Sequence, residues 1–251
     1  MIIDTHCHLE DDLKSEEKIK KMNNNIIIVS GFNKESNETV LKLCNKYKNV
    51  YGTIGIHPEE LDDFNVFNLE LLEKNLKNEK IVGIGEIGLD YHYCKDNIDK
   101  QKELFIYQLE LAKKYNKPVV IHSRDAICDT YNILKNYKDL KKVLHCYSGS
   151  LEMAKEFMKI NTLFGIGGVL TFKNSKQLKE VVENIDLSYI VLETDSPYLT
   201  PEPYRGLENE PYNVNLVAQK LSEIKQVSLD KIKEITTYNA CNLFDLKNNL
   251  W

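Results

Sequence analysis

The 251-residue chain contains no apolar run approaching the roughly 18 residues that a membrane-spanning helix needs. Its N-terminus also lacks a basic segment followed by an apolar one, so no secretory signal is read and a cytoplasmic protein is expected. The six cysteines, Cys7, Cys44, Cys94, Cys128, Cys146 and Cys241, show no C-x-x-C spacing. That excludes a zinc ribbon, and in a chain large enough to build its own core it points to free thiols rather than disulfide staples. Glycine (11) and proline (6) are too sparse for a long disordered or collagen-like segment. Positive charge is in deficit as well: a net charge of -5 argues against broad, sequence-independent duplex binding by a basic surface. A nucleic-acid substrate is still compatible with that balance, because a bound cation is often the largest local charge in a site.

What the chain does have is a series of short, continuous apolar runs with helical patterns between them. They are Ile2-Ile3, Ile26 to Val29, Val50 to Ile56, Ile81 to Ile87, Val119 to Ile121, Val143-Leu144, Leu163 to Ile166 and Ile190 to Leu192. Continuous runs are expected of parallel strands covered on both faces. The clearest helix spans Asp99 to Asn116, with Leu104, Phe105, Gln108, Leu109, Leu111, Ala112 and Tyr115 on one face and Asp99 as N-cap. Repeated βα units predict either an open doubly wound sheet or a closed (β/α)8 barrel. About eight strands in roughly 250 residues favour the α/β TIM barrel, as one domain over residues 1–251.

Several of these runs stop on metal-ligand side chains, as expected at the C-terminal mouth of a barrel. In Asp4-Thr5-His6-Cys7-His8, positions i and i+2 of a strand share a face about 6.5 to 7 Å apart, so His6 and His8 can hold one ion while Cys7 points away. The same pleat removes Cys146 from the site if His145 faces inward. His122 and His145 each close a strand and can share a second ion, and Asp195 from the last strand can complete the first. Gly83-Ile84-Gly85-Glu86-Ile87-Gly88 matches G-x-G-x-x-G, but no helical pattern follows it as a dinucleotide site requires. The glycines are better read as allowing tight packing beside Glu86, whose two oxygens could bridge two ions. His57, before a proline turn, is assigned to substrate contact, and His92 to an exposed loop. The loop arginines Arg124 and Arg205 are candidates for phosphate contact. Tyr147 and Tyr198 either stack on a base or pack the rim.

Asp4-Thr5-His6-Cys7-His8-Leu9, Gly55-Ile56-His57-Pro58, Gly85 to Tyr91, Val120 to Asp125, His145 to Ser150 and Leu192 to Leu199 together resemble the motif series of the TatD family of metal-dependent deoxyribonucleases. They occur in the family's order across almost the whole chain, and Arg205-Gly206 with Asn209-Glu210-Pro211 resembles its late loop. One departure is Tyr212-Asn213-Val214, where many members carry Ala-Tyr-Val. The resemblance implies an amidohydrolase-like barrel and exonuclease (3′-to-5′) or endonuclease activity on DNA with divalent metal. It implies His6, His8, Glu86, His122, His145 and Asp195 as ligands, the six that the spacing selects. DNA repair and DNA degradation during cell death both fit such an activity.

The resulting expectation is a phosphodiesterase with two divalent ions about 3.5 to 4 Å apart. Glu86 would bridge them, His6, His8 and Asp195 would hold one, and His122 and His145 the other, with Asp195 also accepting a proton. Histidine with carboxylate suits zinc, manganese or iron, whereas the resemblance brings in magnesium. DNA, single-stranded or at 3′ ends, is the expected partner, with no membrane. The main rival is an amide or ester hydrolase on the same barrel, such as a D-aminoacyl-tRNA deacylase. Many such sites bridge their ions with a carboxylated lysine, and no lysine ends a strand here. A metal-binding protein without catalysis and a DNA scaffold without chemistry are the remaining alternatives.

Overall fold

The computed structural model describes residues 1–93 and 95–246. In chain order the elements are β1 (Ile3–Cys7), α1 (Leu13–Met22), β2 (Ile26–Ser30), α2 (Lys34–Lys46), β3 (Val50–Ile54), α3 (Val66–Asn75), β4 (Ile81–Asp90) and α4 (Ile98–Tyr115). There follow β5 (Val119–Arg124), α5 (Ile127–Leu134), β6 (Lys142–Leu144), α6 (Leu151–Met158), β7 (Thr162–Ile166), α7 (Lys176–Asn184), β8 (Ile190–Leu192), α8 (Val214–Lys225) and α9 (Leu229–Phe244). The strands pair in sequence order, every pair parallel, in one eight-stranded sheet. This is the nearly closed (β/α)8 barrel expected from the alternation of apolar runs and amphipathic segments.

The seam between first and last strands is stitched at its C-terminal end. The Asp195 N–H donates to the His6 carbonyl (2.9 Å), and the His8 N–H to the Ser196 carbonyl (2.7 Å). Buried Asp4 reinforces the join: its Oδ2 accepts the Thr194 hydroxyl at 2.6 Å and its Oδ1 the Thr194 N–H at 2.9 Å. The contacts that close the barrel therefore also bring Asp195 to the two N-terminal histidines.

Side chains two apart on a strand share a face, and along the inner face the chemistry changes from bottom to top. Ile26, Ile28 and Ser30 form one such series; Val120, His122 and Arg124 another; Val143 and His145 a third. The lower members join Ile3, Val82 and Val191 in an apolar cluster that also contains Leu243 and Phe244 from the end of α9. This apolar plug fills one end of the barrel and leaves the polar groups at the other.

Three local expectations need correction. Glu86 and His122 do not end their strands, and His145 falls one residue past β6: β4 runs four residues beyond Glu86, to Asp90, with its register against β5 shifting between Ile84 and Ile87, and β5 runs to Arg124. Asp195 lies three residues beyond β8, with φ +53°. The N-cap position of α4 is Asn97, and Asp99 sits inside the first turn. The glycine reading holds: a Cβ on Gly85 would lie 2.6 Å from Val120 Cβ, and one on Gly88, where φ is +145°, would lie 2.0 Å from the His122 carbonyl oxygen. Among the described residues no helix is long and apolar enough to cross a membrane. Cys7, Cys44, Cys128, Cys146 and Cys241 are free thiols; Cys94 lies outside the described residues.

Candidate metal centre

The six residues selected from the sequence converge at the mouth, arranged around the two oxygens of Glu86. Oε2 lies 3.4 Å from His6 Nε2 and 3.6 Å from His8 Nε2. Those two nitrogens are in turn 3.5 and 3.6 Å from Asp195 Oδ1. Oε1 faces the other way, 2.9 Å from His122 Nδ1 and 2.8 Å from His145 Nε2. The His6 and His145 rings stack at 4.1 Å between centroids and join the two halves. His57, read from the sequence as a substrate contact, is 9% exposed and places Nε2 3.5 Å from Glu86 Oε1, inside the same cluster.

Hydrogen bonds on the far side of the rings decide which nitrogens carry lone pairs. His8 Nδ1 lies 2.9 Å from the Ser30 carbonyl, an acceptor only, so Nδ1 donates and Nε2 of the neutral ring presents its lone pair inward. His122 Nε2 lies 2.9 Å from Asp90 Oδ2, which likewise turns the Nδ1 lone pair toward Glu86. His6 Nδ1 contacts the Ser30 hydroxyl at 3.0 Å. The inward nitrogens then meet in pairs, His6 with His8 and His122 with His145, each 3.2 Å apart. Lone pairs facing one another and a carboxylate repel unless a cation lies among them. Such nitrogen and oxygen donors fit a divalent metal, and three groupings bring ligand atoms close enough to hold one: His6, His8 and Glu86; His6, His145 and Asp195; and His57, Glu86 and His122.

Histidines and carboxylates at the centre shift one another against burial. Burial opposes charge on His145, yet Glu86 beside it lifts the ring to about 10. His8 and His122 are raised too, against burial, by Asp195 and by Asp90 respectively. Burial and the neighbouring His145 push His6 down to about 4. For Glu86, burial would raise the carboxyl, but His145, His122 and His57 hold it well below its ordinary value. Asp195 is also held down against burial, chiefly by His8.

Asp90 escaped the sequence reading. Only 1% exposed, it accepts from His122 and, through Oδ1, from the backbone N–H groups of His92 (2.8 Å) and Tyr93 (3.1 Å). Glu193 was missed as well: buried behind His145, it approaches Nδ1 at 3.8 Å and is pushed up to about 8 by burial. The signal for Asp90 was a carboxylate ending an apolar run, the rule that picked out Glu86. Elsewhere, Tyr147 is buried, with its hydroxyl on the Ser150 carbonyl (2.8 Å), so it packs the rim rather than offering a face to a base. Tyr198 is 63% exposed and meets the His8 ring edge at 6.3 Å. His92 is exposed and bonds Asp125, as its loop position implied. Cys7 turns away toward the Ile28 carbonyl. The pleat argument does not extend to Cys146, which lies past β6 with φ +45°.

An eight-stranded parallel barrel with such a cluster at its C-terminal mouth defines the class of metal-dependent hydrolases on a TIM barrel. Within that class, the sequence model of the TatD related DNase family matches residues 3–245, and the chain belongs to this family. It is 40% identical to the uncharacterized metal-dependent hydrolase YabD of Bacillus subtilis, over 97% of this chain and 99% of that protein. It is 33% identical to the similarly described YcfH of Escherichia coli, over 98% and 96%. The crystal structure of YJJV, a TatD homolog from Escherichia coli, superposes with a TM-score of 0.91 at 30% identity, covering 98% of both chains. The protein is therefore a TatD-family metal-dependent hydrolase.

Two outcomes follow from the centre. Asp90→Asn should weaken metal affinity by about 10- to 100-fold, since outer hydrogen-bond partners orient ligand histidines; calorimetric titration with manganese checks this, and an unchanged affinity would remove Asp90 from the centre. His145 holds a proton below about 10 in the metal-free protein, and only the neutral ring binds metal. Binding at pH 8 should therefore release about one proton or more per chain, so that apparent affinity rises about tenfold per pH unit as pH climbs toward 10. Calorimetry in buffers of different ionisation enthalpy measures that proton, and zero release would contradict the arrangement.

Proposed function

We propose that the protein is a deoxyribonuclease that hydrolyses DNA phosphodiester bonds, working from 3′ ends toward 5′, with two divalent ions in the centre built on Glu86. The observation that carries this reading is the division of ligand candidates between the two Glu86 oxygens, His6, His8 and Asp195 on one and His122 and His145 on the other. The family description, TatD related DNase, supports the DNA substrate. Magnesium, manganese and zinc are the candidate ions. When bound, such a pair supplies charge neutralisation for a phosphate and acidifies a water.

The chain's own residues do the rest. Glu86 stays anionic and fixed by five neighbouring rings. Asp195 Oδ1 faces His6 and His8, which leaves Oδ2 to accept the proton of the attacking water. His57 borders the same space and contacts the substrate phosphate there. Arg124 and Arg205, both exposed, hold phosphates outside the centre. The buried rings and the apolar plug below them exclude water from beneath the centre, which strengthens electrostatic interactions with a phosphate bound there. In this reading residues 1–251 act as one catalytic unit in the cytoplasm.

Hydrolysis of an aminoacyl ester on the same barrel is the alternative, and no observation favours it. Lys142, the buried lysine in the strands, opens β6 and spends its ammonium on the carbonyls of Tyr137, Lys138 and Leu140 at the opposite end. It cannot serve as a carboxylated bridge. Manganese-loaded protein should release mononucleotides from the 3′ end of a labelled single strand and lose that activity in chelator. Glu86→Gln should lower both metal content and turnover, the latter by more than about 100-fold. Cleavage of a D-aminoacyl ester with no cleavage of the oligonucleotide would refute the assignment.

A further inference from the structure

Only two of the 33 basic residues in this chain are arginines, and both stand at the mouth of the barrel. Arg124 is the last residue of β5 and lies two residues beyond His122, so it projects from the same inner face, one step farther out. Arg205 belongs to the long loop after β8. Each guanidinium stacks on an aromatic ring from a different loop: Arg124 on Tyr93 at 4.6 Å, and Arg205 on Phe172 at 4.2 Å. Tyr93 follows β4, and Phe172 follows β7.

Neither guanidinium has an ion-pair or hydrogen-bond partner among the described residues, although carboxylates stand nearby. Asp125, adjacent to Arg124, pairs with His92 instead, at 3.0 Å. Lysines elsewhere are heavily engaged: Lys14 and Lys18 with Glu208, Lys21 with Glu210, Lys102 with Asp129. A guanidinium placed over a ring keeps its N–H donors available to an anion, and its planar fork is fixed in shape. That is the geometry for bidentate capture of a phosphate, which a lysine cannot reproduce.

The two anchors lie on different sides of the centre. Eight strands about 4.8 Å apart, tilted by about 36°, close a ring on which the top of β5 and the gap between β7 and β8 are roughly 13 Å apart. A strand held by both arginines must place at least two phosphates across that span, which a dinucleotide with its single internucleotide phosphate cannot do. Exposed Tyr198, beside His8, stands at the mouth as a face on which a base can stack.

We infer that Arg124 on Tyr93 and Arg205 on Phe172 are the two ends of a single-strand track across the metal centre, which selects longer single strands over dinucleotides. This deepens the nuclease reading and rests on its phosphodiester substrate. Phosphorothioate-linked oligothymidylates of two to eight residues, slow to hydrolyse, are titrated against the manganese-loaded protein with anisotropy as the readout. Kd should fall about tenfold or more between two and five residues and then level off. Arg124→Ala and Arg205→Ala should each abolish most of that step, and the corresponding lysine variants should recover only part of it. Lys220→Ala, on the outer helix α8, is the control and should keep the whole step. A wild-type affinity flat from two to five residues, or arginine variants that weaken every length equally, would overturn the track. Ordinary phosphodiester oligonucleotides are assayed in parallel for cleavage; a length step in binding without any cleavage would support the track and refute the nuclease reading.

Discussion

Glu86 is a carboxylate removed from water and ringed by histidine nitrogens, and the energetics of that burial govern the mouth of the barrel. An isolated buried carboxylate would take up a proton, yet here surrounding rings keep it charged. In the metal-free protein the compensating positive charge comes from protons on the histidines, with His145 carried to about 10. Replacing those protons by divalent ions keeps the same electrostatic balance and satisfies the inward lone pairs. The bulge in β4 and the missing Cβ atoms at Gly85 and Gly88 serve this arrangement, because they let the strand lie against β5 with Glu86 turned inward.

The two halves of the centre are supported by different chemistry. On the Oε2 side, Ser30 serves both rings through its carbonyl and its hydroxyl, and the hydroxyl is itself paired with Thr53 at 2.8 Å. On the Oε1 side, the Asp90 carboxylate backs His122 at 2.9 Å, whereas Glu193, pushed up to about 8 by burial, stands 3.8 Å from His145 Nδ1, which has no hydrogen-bond partner among the described residues. A carboxylate backing raises ligand basicity more than a neutral one. The Oε2 side carries its negative charge in Asp195, which faces His6 and His8, while the Oε1 side carries it in Asp90 behind His122, so the two sides of Glu86 are inequivalent.

Much of this was readable before any coordinates. Apolar runs of strand length with amphipathic segments between them give the barrel, because parallel strands buried on both faces show little alternation. His6 and His8 were readable because the pleat fixes where i and i+2 point. The strand limits were not, since Ile87-Gly88-Leu89-Asp90 continues the apolar run only if the glycines are taken as packing residues inside a strand. A run ended at Ile87 leaves Asp90 in a loop and hides its partnership with His122. That partnership depends on register, with Gly88 opposite His122 and Asp90 opposite Arg124. Tyr147 had two readings in the sequence, and contact with Gly149, where a Cβ would lie 2.5 Å from the tyrosine oxygen, decides for packing. The stacking of the two arginines likewise joins loops distant in the chain.

The central claim is that one buried carboxylate organises two metal positions, and anomalous diffraction from manganese-loaded crystals tests it most directly. The account predicts two peaks about 3.5 to 4 Å apart, one against Glu86 Oε2 with His6, His8 and Asp195, the other against Oε1 with His122 and His145. A single peak, or a pair in which Glu86 touches only one ion, would contradict it.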